Sequence, residues 1–212
     1  MDPIVKLTEG FKAFRDGRFE AQRKTFETLV DQGQSPKVAV VACADSRVDP
    51  AMVLQAEPGD LFVVRNVANL VPPCERGPDY HGTGAALQYA VCHLQVEHVV
   101  VLGHAYCGGI RSLFQQPAEA PADDDLISPW MSLVRSAYLQ VEATRPDAPK
   151  EVKARLCEQN AILVSLENLM TFPGVRERVA DGRLRLHGWH IDIRSCVLEA
   201  YDPATGRFEA IG

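Results

Sequence analysis

Three short runs constrain this chain more than anything else in it: VAVVACA at 38–44, LFVVRN at 61–66 and HVVVLGH at 98–104. Each is rich in valine, lacks apolar–polar alternation, and ends in polar residues. Continuous β-branched runs of this length fit strands covered on both faces, the usual condition of a parallel sheet. Between the second and third lies GTGAALQYAVCHLQ at 82–95, alanine-rich with helical apolar spacing after a glycine-rich start. Strand, helix and strand in alternation predict an α/β fold with a mostly parallel central sheet flanked by helices.

The rest of the chain completes that fold. Residues 1–37 predict an amphipathic helical arm, with Phe11, Phe14, Phe19, Phe26, Leu29 and Val30 set among charges. GGIRSLF after the third run starts a helix, and 130–145 and 149–171 are helical stretches. Between them, 115–129 is an acidic loop whose prolines and three consecutive aspartates oppose regular structure. LRLHGWHIDI, CVLEAY and RFEAI predict C-terminal antiparallel strands, the last two joined by the turn signal DPATG. No internal repeat is visible. One domain over 1–212 is expected: the arm at 1–37, a core at 38–114, the acidic loop, and C-terminal helices and strands from 130.

Composition excludes several classes of partner. A net charge of −6 and a pI near 5.5 oppose nucleic-acid or anionic-membrane binding, which need a basic surface. No apolar run approaches the ~20 residues of a spanning helix, and no leader pattern opens the sequence. The cytoplasm is the expected location. Six scattered cysteines without a disulfide-like density are expected to stay reduced or to bind metal.

The candidate site lies where the first and third runs end. VVACADSRVDP places Cys43, Asp45, Ser46 and Arg47 within five residues, and GHAYCGG places His104 and Cys107. Ligands in open α/β sheets gather at the carboxyl ends of strands. If the first and third strands are neighbours, Cys43, His104 and Cys107 converge. Two thiolates and an imidazole suit zinc, and three protein ligands leave a fourth position open, as in catalytic sites. Cys92, among Tyr89, Ala90 and Val91, is expected in the core. Cys74 in VPPCERGP remains a candidate fourth ligand, and Asp45 is nearer at hand.

CADSRVDP together with QYAVCHLQVEHVVVLGHAYCGG resembles the two signature segments of the beta-class carbonic anhydrases, with Cys43 and His104 61 residues apart. The likeness runs through EPGDLFVVRNVANLVPP and, more loosely, through 160–193. It implies one zinc per chain on Cys43, His104 and Cys107, and reversible hydration of carbon dioxide to bicarbonate and a proton, a lyase reaction. It also implies that Asp45, held by Arg47, orients zinc-bound hydroxide. Similarity to the plant-like branch implies a substrate pocket of Gln34, Phe62, Val67, Tyr89 and Gly108. Such pockets lie at a subunit interface, so a homodimer or larger assembly is implied.

Asp45 can also be a zinc ligand, in the closed state of another branch. That branch carries tryptophan three residues before the first cysteine ligand, where this chain has Val40. The open arrangement is therefore expected. Two further readings stay open: hydrolysis of carbonyl sulfide or carbon disulfide at the same site, and a non-catalytic zinc module used in assembly. Asp45 and Arg47 speak against the second, since a structural zinc needs no orienting pair. His81, His93, His98, His187 and His190 are candidates for proton transfer that the sequence does not separate.

Overall fold

Strand β1 (Val38–Cys43) is the centre from which the molecule is organised. The computed structural model describes residues 1–75, 81–115 and 124–211. β1 pairs in parallel with β2 (Leu61–Asn66) on one side and with β3 (His98–His104) on the other. β3 pairs in parallel with β4 (Arg185–Asp192), which turns the sheet antiparallel through β5 (Val197–Asp202) and β6 (Arg207–Ala210). The order is β2-β1-β3-β4-β5-β6. The mostly parallel sheet, the helical arm and the antiparallel C-terminal strands are as the sequence predicts.

Alternation along the central strands feeds two cores. Ala39, Val41, Val99 and Val101 pack on one face, against Leu87 and Ile162 among others. Val40, Ala42, Val100 and Leu102 pack on the other, with Ile110, Met131 and Val141. β1 and β3 are thus buried on both faces, as their sequences require. β2 departs from that expectation. It is an edge strand, with Val63 and Arg65 exposed.

Helices cover the sheet. The arm is α1 (Pro3–Phe14), a π-helical turn (Arg15–Phe19) and α2 (Arg23–Gln32). α3 (Pro50–Val53) starts at Asp49, whose carboxylate accepts from the Met52 amide at 3.2 Å. α4 (Gly82–Gln88) runs into a π-helical turn (Tyr89–His93), and α5 (Gly108–Ser112) follows β3. α6 (Ile127–Met131) begins inside the stretch expected to be loop; most of that acidic loop lies outside the described residues. α7 (Arg135–Thr144), α8 (Lys150–Leu169) and α9 (Pro173–Ala180) complete the set.

α8 lies close on the sheet. A Cβ added at Gly103 would sit 2.7 Å from Ile162 Cδ1, so any larger residue beside His104 would force the fully buried Ile162 to shift. Among the described residues no helix is long and apolar enough to cross a membrane.

Candidate metal centre

β1 and β3 are neighbours and parallel, so their carboxyl ends deliver Cys43 and His104 to the same edge of the sheet. Cys107 arrives three residues later, at the N-cap of α5. The ligand atoms of Cys43, His104 and Cys107 all lie within 4.8 Å of one another, and all three residues are buried. Neither Cys74 nor Asp45 belongs to this group. Cys92, expected in the core, is exposed.

The donors are prepared for a cation. His104 Nδ1 lies 2.9 Å from the Ala105 carbonyl, the geometry of an N–H donating to oxygen. That leaves Nε2 with a lone pair, and Nε2 is buried without a hydrogen-bond partner. An orphaned acceptor of this kind is costly unless a ligand takes it. Cys43 is pushed well below the usual thiol range, chiefly by its hydrogen bond with Cys107. Cys107 is pushed up by the same contact and by burial. A soft divalent cation can take both sulfurs as thiolates and displace the remaining proton. The donor set therefore fits zinc.

Asp45 stands beside the three ligands. Its Oδ1 accepts from Arg47 Nε at 2.9 Å and from the Arg47 amide at 3.0 Å, and its Oδ2 from Arg47 Nη2 at 2.7 Å. Oδ2 also lies 4.0 Å from His104 Nε2. The Arg47 hydrogen bonds hold the Asp45 carboxyl well below the usual carboxylate range. Arg47 Nη2 reaches on to the Tyr106 carbonyl at 3.0 Å. Tyr106, between the two β3-side ligands, has a φ of 62°, a left-handed conformation unusual for a tyrosine.

Three supports escaped the sequence reading. Arg65 on β2 donates to the Cys43 carbonyl at 3.0 Å, the Asp45 carbonyl at 2.7 Å and the Asp49 carboxylate at 2.9 Å. Trp130 Nε1 donates to the Val67 carbonyl at 2.8 Å. Glu158, buried on α8, accepts from the Cys107 amide at 3.1 Å. A charge in KEVKARLCEQN reads as a solvated helix face, and only the tertiary fold turns Glu158 inward.

The pocket residues implied by resemblance divide into two groups. Gly108 follows Cys107, and Val67 packs against the adjoining Gly109. Phe62 pairs with Ala39, four residues before Cys43 on β1, or about 13 Å back along the strand. Tyr89 packs on Phe62 at 5.9 Å between ring centroids, and is 46% exposed. Gln34 is exposed in the segment before β1. Within one chain Phe62 and Tyr89 thus stand away from the ligand group.

The match to known proteins decides the family. Residues 38–198 match the family described as Carbonic anhydrase. The chain belongs to this family, in its beta class. Beta carbonic anhydrase 3 of Arabidopsis thaliana is 36% identical over 193 residues, covering 91% of this chain and 74% of the relative. The solved beta-carbonic anhydrase CcaA superposes with a TM-score of 0.87 at 33% identity, over 99% of this chain and 92% of that one. A tetrameric beta-carbonic anhydrase of the ascomycete Sordaria macrospora matches with a TM-score of 0.80 at 26% identity, over 100% and 98%. The protein is a carbonic anhydrase, and the beta class consists of zinc enzymes; Cys43, His104 and Cys107 are the group that could hold the ion.

Proposed function

We propose that this enzyme hydrates carbon dioxide reversibly to bicarbonate and a proton, with Asp45 and Arg47 as its orienting pair. The supporting observation is the placing of Asp45: ionised, triply hydrogen-bonded to Arg47, and with Oδ2 4.0 Å from the unpartnered nitrogen of His104. Zinc, when bound by Cys43, His104 and Cys107, supplies a Lewis acid that acidifies a coordinated water.

Asp45 then governs direction. An ionised carboxylate can only accept hydrogen bonds. Oδ2 spends one lone pair on Arg47 and keeps another. A nucleophile on the open side therefore turns its proton toward Asp45 and its own lone pair away, toward the substrate. Arg47 prevents Asp45 from swinging, because rotation would break both side-chain bonds at once. The same tether disfavours Asp45 as a fourth ligand, so the open arrangement is the resting one near neutral pH.

Val67 and Gly108 border the chain's own site, while Gln34, Phe62 and Tyr89 serve a site on a second copy. An assembly of at least two chains follows, in keeping with the tetrameric Sordaria relative. Stopped-flow hydration of carbon dioxide with a pH indicator, on zinc-loaded protein, tests the function. Rapid, zinc-dependent proton release is expected. Hydrogen sulfide release from carbonyl sulfide or carbon disulfide without carbon dioxide hydration would overturn it, as would inactivity toward all three.

A further inference from the structure

The peptide group joining Tyr106 to Cys107 is gripped at both ends. Its carbonyl accepts from Arg47 Nη2 at 3.0 Å, and its N–H donates to Glu158 Oε1 at 3.1 Å. One face of this peptide thus meets the orienting pair, and the other meets a carboxylate that is 4% exposed. Glu158 is itself anchored. Its Oε2 lies 3.3 Å from Nε2 of His190, which is fully buried, and His190 Nδ1 lies 3.3 Å from Glu199 Oε2. Glu199 is held by Arg155 through two contacts of 2.9 Å and by Gln159 at 3.1 Å, and Arg155 reaches Asp192 at 3.0 Å. Among the described residues His190 Nδ1 itself makes no hydrogen bond, so the hydrogen-bonded support of this amide runs from Glu158 on α8 to His190 on β4.

We propose that Glu158 is a positioning residue that clamps the Tyr106–Cys107 peptide from behind, fixing the second thiolate ligand and the carbonyl on which Arg47 rests. Packing alone gives no reason for a carboxylate here. A buried charge costs free energy that an apolar side chain of similar volume would avoid. What an apolar side chain cannot do is accept the Cys107 N–H.

That hydrogen bond has something to oppose. Tyr106 sits at a φ of 62°, and a non-glycine residue there persists only when its surroundings hold it. Relief of Tyr106 needs rotation about its own N–Cα bond, which would swing the next peptide and take the Cys107 amide from Glu158 and the Tyr106 carbonyl from Arg47 together. Hydrogen bonds at the two ends of one amide also polarise each other. Glu158 therefore acts on the metal and the orienting pair through one rigid unit without touching either.

The inference rests on the assignment of Cys43, His104 and Cys107 as zinc ligands, and its test can be read without substrate. Glu158→Leu removes the acceptor at similar volume, Glu158→Gln keeps an acceptor without the charge, and Glu158→Asp keeps the charge but shortens the reach. Zinc affinity is measured by competition with a chromophoric chelator, and the cobalt-substituted proteins are compared by their thiolate charge-transfer and d–d bands. Glu158→Leu is expected to weaken zinc binding about 10–100-fold and to shift the cobalt bands. Glu158→Gln should stay within a few-fold of wild type, and Glu158→Asp should fall between. In the hydration assay, kcat should fall more than KM rises.

Wild-type zinc affinity and cobalt bands in a folded Glu158→Leu protein would overturn the clamp. So would a loss in Glu158→Gln equal to that in Glu158→Leu, because charge and not acceptance would then be at work. If Glu158→Leu does not fold, Glu158→Asp decides: unchanged zinc affinity there refutes the proposal. A wild-type protein that binds zinc but hydrates no carbon dioxide would refute the proposed function and leave these readouts standing.

Discussion

Asp45 and Arg47 form an ordinary ion pair in chemistry and an unusual one in position. Arg47 is half exposed, and an exposed pair contributes little to stability. The role proposed for them is aim, and on that proposal Asp45→Ala and Arg47→Ala are each expected to lower kcat by about 10²–10⁴-fold with zinc content unchanged. Because both act on one orientation, the double variant should lose little more than either single one. Additive losses in stopped-flow hydration would return the pair to the status of a surface salt bridge. The ligands should behave in the opposite way. In Cys43→Ser or Cys107→Ser a neutral hydroxyl replaces a buried thiolate, so metal analysis should find zinc lost along with activity. Full occupancy in both would remove the two cysteines from the ligand set. These residues were legible in the sequence because each cluster ends an apolar run. Arg65 and Glu158 were not, because their partners lie 16 to 51 residues away and only the folded register brings them together.

Elements were legible where burial was two-sided. β1 and β3 have no polar alternation because both faces are covered, and their bounds follow from that. β2 is also apolar and valine-containing but lies at the edge, so that pattern alone misled about its burial. Cys92 shows the complementary error. Leu87, Ala90 and Val91 mark the inward face, and Cys92 falls outside it. Its neighbours in sequence were a poor guide to its neighbours in space.

The pairing of β3 with β4 also contains a titratable contact that the sequence did not reveal. His98 Nδ1 lies 3.0 Å from His187 Nε2. Burial, then the nearby His98 and Arg185, push His187 below the ordinary histidine range. A histidine lowered in the folded state binds fewer protons there than in the unfolded chain. Its stabilisation is therefore complete above the ordinary value of ~6.5 and is lost as pH falls through the lower, folded value. His187→Gln, which does not titrate, should lose less stability than wild type on going from about pH 8 to about pH 5.5. Urea midpoints at the two pH values check this; equal losses in both proteins would clear His187 of any part.

At the scale of the whole molecule, the proposed pocket needs two copies of the chain. Cys43, His104 and Cys107 stand at the carboxyl edge of the sheet, whereas Phe62 and Tyr89 pack together further back, with Tyr89 largely exposed. The arm is equally unfinished. Ile4, Leu7 and Phe11 on α1 are each more than 60% exposed, although Phe14, Phe19 and Phe26 cluster within 6.1 Å of one another. A twelve-residue helix with an uncovered apolar face is marginal alone, and burial against a second copy would stabilise it. Sedimentation should therefore find at least a dimer, and removal of residues 1–32 should weaken association while the zinc ligands remain intact. The sharper test separates the two halves genetically. Cys43→Ser abolishes a chain's own metal site but leaves its Tyr89 and Phe62; Tyr89→Ala leaves the metal site but spoils the aromatic pair. If each chain completes the other's pocket, a heterodimer of the two variants contains one wholly intact site. Co-expression should then give more hydration activity than the weighted sum of the separate homodimers. Activity no greater than that sum would mean that Tyr89 serves its own chain or no site at all, and the interface pocket would fall with it.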